Sequence, residues 1–177
     1  MKRETFETKI DIQKNEEDIV INTGDKIFDH VLNSFFFYMG FACSVTAEFD
    51  LRHHLWEDTG IAIGNFLSEE FDRTKIRRFG SSIMPMDDAL ILVSLDVSRT
   101  FVAVDLKIEE EEKGFEIGMF REFVYGLARS LNLCIHIRQL SGINAHHIIE
   151  AAFKGMGKAF SQAFEPAVTI QSTKGTL

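Results

Sequence analysis

The sequence predicts an α+β protein built from two similar halves, residues 1–85 and 86–177, packed as one unit. Two observations lead there. The pattern His-His-x-x-Glu occurs twice, at His53-His54-Leu55-Trp56-Glu57 and at His146-His147-Ile148-Ile149-Glu150, and the two copies are 93 residues apart, slightly more than half the chain. Around each copy, hydrophobic periodicity reads strand, strand, helix, strand, helix, which is the mark of an internal duplication. Nothing between the halves has a linker's composition, so two sheets with helices on one face of each are expected to share a core.

In chain order, Thr5 to Ile12 alternates polar and apolar residues as a half-buried strand does, and Asp18 to Asn22 reads as a second strand closed by Thr23-Gly24-Asp25. Phe28 to Met39 is apolar nearly all round and reads as a helix covered on several sides. Cys43 to Phe49 is a third strand, and the spacing of Ile61, Ile63, Phe66 and Leu67 favours a helix from His53 to about Phe71. A basic connection, Arg73 to Gly80, follows. Ala89 to Val97 and Phe101 to Ile108 read as strands paired about Ser98-Arg99. Ile117 to Leu131 has helical spacing, Cys134 to Arg138 is a short strand, and Asn144 caps a long helix from Ala145 to Phe164. The run Glu109 to Glu112 reads as a solvated turn without function, and the tail after Pro166 is too polar for a core.

A length of 177 residues, 45% hydrophobic and 26% charged, is ordinary for a globular protein, and a formal charge of −8 argues against nucleic-acid binding through a broad basic field. It leaves room for a local basic pocket. Cys43 and Cys134 are the only cysteines, and each lies in an apolar, strand-like run, as buried free thiols do. The chain opens on the charged Met-Lys-Arg-Glu, and no apolar run reaches membrane-spanning length, so a cytoplasmic protein with no membrane partner is expected.

The chemistry lies in the histidines. On a helix, His146 and Glu150 share a face while His147 points about 100° away, so adjacent imidazoles serve different ions rather than one. The six histidines, His30, His53, His54, His136, His146 and His147, together with Glu57 and Glu150, supply eight ligands, four for each of two ions. A nitrogen-rich set with one carboxylate suits Mn, Fe, Co or Zn rather than Mg or Ca, and six-coordinate ions would keep two positions open. The zinc-protease signature His-Glu-x-x-His is excluded, because here the glutamate occupies the i+4 ligand place.

Five stretches carry a resemblance: Arg52 to Gly64 (R-H-H-L-W-E-D-T-G-I-A-I-G), Asn144 to Lys154 (N-A-H-H-I-I-E-A-A-F-K), F-D-H-V-L, P-M-D-D-A-L and the closing S-T-K-G. In order and over essentially the whole chain, from about Arg3 to Leu177, they resemble the imidazoleglycerol-phosphate dehydratase family of histidine biosynthesis. The resemblance implies homologous halves like the second domain of ribosomal protein S5. It implies a homo-oligomeric shell of twenty-four subunits and two Mn2+ ions per active site at subunit contacts. The implied reaction is elimination of water from imidazole glycerol phosphate to give imidazole acetol phosphate.

By position, the resemblance implies one ion held by His53, Glu57, His136 and His147, and another by His30, His54, His146 and Glu150. Arg78, Arg99, Ser172 and Lys174 fall on its phosphate site. Glu7 falls on a carboxylate beside the reacting carbons and joins Glu57 and Glu150 as the catalytic carboxylates. Ser34 stands where the family usually has Gln, Tyr38 or Met39 where it has a histidine, and Leu51-Arg52 where it has Asp-Asp. Those departures touch substrate contacts, and the alternative they raise is a metal-binding homologue that has lost turnover.

Overall fold

The computed structural model describes residues 1–110 and 112–175. The first half runs β1 (Lys2–Glu4), β2 (Thr8–Lys14), β3 (Val20–Asn22), α1 (Lys26–Met39), β4 (Cys43–Phe49) and α2 (Arg52–Glu70). After one 3-10 turn at Arg73–Lys75 the second half runs β5 (Phe79–Met86), β6 (Ala89–Val97), β7 (Phe101–Asp105), α3 (Ile117–Leu131), β8 (Leu133–Ser141) and α4 (Ala145–Ala163). Each half forms a four-stranded mixed sheet. The orders β1-β2-β4-β3 and β5-β6-β8-β7 are the same arrangement twice, as the duplicated α+β reading requires. The chain crosses between the sheets after Glu70, and residue 85 lies inside β5.

Three local expectations change. β6 and β7 are not partners: β8 lies between them, antiparallel to β6 and parallel to β7. The parallel pair needs a crossover, and α3 supplies it, as α1 does between β3 and β4. β5 has no counterpart in the sequence reading, since Pro85 interrupts its pattern. It is an edge strand, where a missing N–H is tolerated. β1 is also additional, and Thr5 to Glu7 is the turn that separates it from β2.

Helix ends follow local chemistry. Asp25 caps α1 by accepting from the backbone N–H groups of Ile27 and Phe28, and Gly40 closes it at φ 69°, a left-handed conformation that costs glycine nothing. The Asn144 side chain accepts from the His147 N–H at the start of α4, as its type and place predict. The helices lie between the sheets. α1 packs across α4 and α2 across α3, while α2 rests on β2 and β4 and α4 on β5 and β6. Phe28 stacks on Trp56 with centroids 4.3 Å apart, and Phe153 of the second half meets Trp56, so one core serves both halves. Cys43 is buried, which pushes its thiol up to about 12, whereas Cys134 is half-buried on the outer face of β8. Among the described residues no helix is long and apolar enough to cross a membrane.

Candidate metal centre

The first turns of α4 put His146 and Glu150 on one face, and the packing of α1 across α4 brings His30 to the same place. Both histidine Nε2 atoms converge on one carboxylate oxygen, Oε2 of Glu150, at 2.9 Å from His30 and 2.8 Å from His146. Oε1 is taken by Lys154 Nζ at 2.9 Å. Glu150 is buried, which would raise its pKa, but the bonds from His30 and Lys154 outweigh burial and hold it down to about 2. Phe115 stacks on the His146 ring at 4.4 Å and 16°, which fixes the imidazole plane. The arrangement fits a divalent transition ion: the donors are two neutral-capable nitrogens and an anionic oxygen, and an ion would take the place of the protons now shared among them.

A second cluster lies on α2. Ligand atoms of His53, Glu57 and Glu122 all fall within 4.8 Å of one another. His53 and Glu57 were expected together from their i, i+4 spacing. Glu122 was not anticipated. It stands in an ordinary amphipathic helix, α3, and only the packing of α3 on α2 brings it here.

The other three histidines stand outside both clusters. His54 Nδ1 is 2.8 Å from Asp50 and 3.8 Å from Glu7, and His147 Nδ1 is 2.5 Å from Asp88. In each case the carboxylate bond raises the imidazole pKa, and His147 Nε2 lies 3.3 Å from Asp87. Backbone N–H groups of Ile143 and Asn144, together with His147, hold Asp88 down to about 2. His136 points away from buried Ile135 and Ile137, as strand alternation predicts, and lies over Phe101 on the outer face of the second sheet. One protomer thus gathers three members of the implied set His30, His54, His146 and Glu150, and two members of the set His53, Glu57, His136 and His147.

Asp50 and Asp88 carry no functional signal of their own in the sequence, although Asp87-Asp88 lies in the P-M-D-D-A-L stretch. The run of glutamates is also less idle than expected: Ala145 N–H donates to the Glu110 carbonyl at 3.0 Å, and Glu112 Oε1 lies 3.7 Å from His146 Nδ1. Glu111 lies outside the described residues.

Arg78, Arg99, Ser172 and Lys174 line a single cavity of about 750 Å³ against the second sheet. Arg78 is held rigidly, donating through Nε and Nη2 to the two oxygens of Asp96 at 2.6 and 2.9 Å and through Nη1 to the Gln171 carbonyl at 2.8 Å. The polar tail is therefore anchored to the cavity wall. Arg78 itself sits at φ 72°, outside the usual range for a side-chain-bearing residue.

A duplicated α+β chain with imidazole–carboxylate clusters between its helices and a basic cavity at one sheet defines a class: enzymes that combine metal ligation with recognition of a small anionic substrate. Comparison with known proteins narrows it. The family model described as imidazoleglycerol-phosphate dehydratase matches residues 23–160. The chain is 52% identical over 180 residues to the imidazoleglycerol-phosphate dehydratase of Pyrococcus furiosus, covering 100% of both. It is 39% identical over 186 residues to that of Metallosphaera sedula, covering 99% of this chain and 96% of the relative. A crystal structure of the Pyrococcus furiosus protein in complex with (S)-C348 superposes with a TM-score of 0.96 at 50% identity over 100% of both chains. The Staphylococcus aureus structure gives 0.82 at 31% identity, covering 94% of this chain and 98% of that one. The chain belongs to the imidazoleglycerol-phosphate dehydratase family, hydro-lyases of histidine biosynthesis.

Proposed function

We propose that this chain removes water from imidazole glycerol phosphate, giving imidazole acetol phosphate after tautomerisation, at a site holding two Mn2+ ions. The observation that carries the reading is the convergence of His30 and His146 on one oxygen of buried Glu150. It directs two imidazole nitrogens and one carboxylate oxygen at a single point, a donor set that suits a divalent transition ion. His30, His54, His146 and Glu150 would hold one ion, and His53, Glu57, His136 and His147 the other. His54, His136 and His147 lie outside the two clusters of a single protomer, which supports sites completed at contacts between subunits of a shell, twenty-four in number by family resemblance.

When bound, the ions supply Lewis acidity to the substrate imidazole, which makes a proton on the adjacent carbon removable although no carbonyl activates it. The protein's own groups do the rest. Arg78, Arg99, Ser172 and Lys174 take the phosphate and fix the substrate chain relative to the ring. The rigid Arg78–Asp96 pair supports that role, since a pre-oriented guanidinium loses little freedom on binding. Glu7 would take the carbon-bound proton and protonate the departing hydroxyl, so that one water leaves for each substrate turned over; its exposed carboxylate, 3.8 Å from His54, supports that role. Glu57 and Glu150 act as the ion-holding carboxylates.

Chelation of the purified protein should abolish dehydratase activity on imidazole glycerol phosphate, and Mn2+ should restore it. Full turnover by metal-free protein contradicts the proposal.

A further inference from the structure

Three side chains from the first eight residues meet one buried carboxylate on α2. Asp58 follows Glu57 directly and is 7% exposed. Arg3 Nη2 donates to its Oδ1 at 2.7 Å, the Thr8 hydroxyl donates to its Oδ2, and Thr5 Oγ1 lies 3.5 Å from Oδ2. A buried carboxylate is costly unless its oxygens are taken, and here both are taken from the segment Arg3 to Thr8. That segment holds the turn between β1 and β2 on which Glu7 stands. Phe6 and Glu7 are both exposed, so hydrogen bonds rather than apolar burial fix the turn. Thr5 Oγ1 accepts from the N–H groups of Glu7 and Thr8 at 3.1 and 3.0 Å, and the Thr5 N–H donates to the Thr8 carbonyl at 2.9 Å. The Thr5 and Thr8 hydroxyls are 3.2 Å apart, which joins the turn and Asp58 in one network. A further tie runs from the Asp50 N–H to the Glu7 carbonyl at 3.1 Å.

His54 and Asp58 are i and i+4 on α2 and share a face. The turn lies along that face, with Thr8 at Asp58 and Glu7 Oε2 at 3.8 Å from His54 Nδ1. We infer that Asp58, acting through Thr8 and Thr5, is the positioning residue for Glu7: it pins the β1–β2 turn to α2 and so sets where the Glu7 carboxylate stands beside His54. With both oxygens occupied by Arg3 and the threonines, Asp58 has no part in ligation or proton transfer itself. The inference rests on the reading of Glu7 as acid and base given above, and deepens it. An acid/base group works only within hydrogen-bond reach of the proton it moves, and an exposed glutamate on an untethered turn would spend little time there.

The test measures kcat and KM for imidazole glycerol phosphate in the Mn2+-loaded full-length protein, with metal content and far-UV circular dichroism alongside. The variants are Glu7→Gln, Thr8→Val, Thr8→Ser, Asp58→Ala and the double variant Glu7→Gln/Thr8→Val. Thr8→Val exchanges only the hydroxyl for a methyl. It should lower kcat by about ten- to a hundredfold while KM, metal content and helix signal stay near wild type. Thr8→Ser restores the hydroxyl and should recover most of the loss, and Asp58→Ala should lower kcat at least as far as Thr8→Val. Adding Thr8→Val to Glu7→Gln should cost nothing more, because the network acts only through the group already disabled. Wild-type kcat in Thr8→Val, or a full further loss in the double variant, overturns the inference and leaves Glu7 as acid and base. So does a loss of metal or helix signal in Thr8→Val that accounts for the lost activity. Wild-type kcat in Glu7→Gln overturns the reading of Glu7 and the inference with it.

Discussion

Nε2 of His30 lies 2.9 Å from Oε2 of Glu150, which joins α1 of the first half to α4 of the second at the most deeply buried carboxylate of the candidate centre. Both residues belong to helices whose remaining inward positions are apolar, so the contact sits on a packed wall rather than on a mobile loop. Glu150→Gln keeps the volume and removes the charge. It should lose metal before it loses structure: metal content of the purified variant falls while the far-UV circular dichroism spectrum stays that of wild type. A variant that keeps full metal loading would remove Glu150 from the ligand set.

Gly157→Ala should act at a distance from that contact. The added methyl meets the Phe35 carbonyl, a backbone atom that cannot rotate away, and α1 must move off α4. A loss of about 3 kcal/mol in denaturant melts is expected, as for other over-packed contacts. Metal affinity should fall with it, because His30 and Glu150 ride on the two helices being separated.

Arg52, at the start of α2, pairs with Asp25 at 2.7 Å. Burial alone would raise the Asp25 pKa, but the bonds from Arg52 and Trp56 more than offset it, and the net shift is downward from 3.8. A depressed carboxylate contributes stability that is present above its unfolded value and is lost as pH falls through its folded one. Arg52→Met should therefore cost about 1–3 kcal/mol near neutral pH, the penalty for a buried acceptor left short of partners. The deficit should narrow as the pH drops below the ordinary carboxylate range. Denaturant titrations at neutral and acid pH check the sign, and a deficit independent of pH would mean that packing, not charge, sets the effect.

Lys174→Ala should raise KM for imidazole glycerol phosphate, by roughly tenfold for one lost charge-assisted contact, with a smaller change in kcat. Lys174 lines the same cavity as Arg78 and Arg99, and its backbone N–H donates to the Ser172 hydroxyl at 3.3 Å. Steady-state kinetics decide it, and an unchanged KM would take the tail out of the site.

Much of this was legible in the one-dimensional chain because it depends on spacing. The i, i+4 relation of His146 to Glu150, the cap at Asn144 and the outward turn of His136 follow from helix and strand periods that any segment obeys locally. The repeat of His-His-x-x-Glu was enough to expect matching halves. Strand order was harder: β6 and β7 are consecutive and apolar, and nothing local says that β8 will come between them. The edge position that makes Pro85 acceptable in β5 is likewise a property of the sheet, not of the strand.

What the sequence determined by itself was the set of chemically able groups and which of them share a helix face. What only the tertiary structure decided was which groups from opposite halves meet. Glu122 carries no motif and looks like any exposed helical glutamate; it becomes part of a cluster because α3 can approach α2 closely where glycine removes a side chain from between two backbones. Local periodicity sets direction along one helix, but the distance between helices is set by what lies in the contact, and that is settled only when both halves have folded against each other.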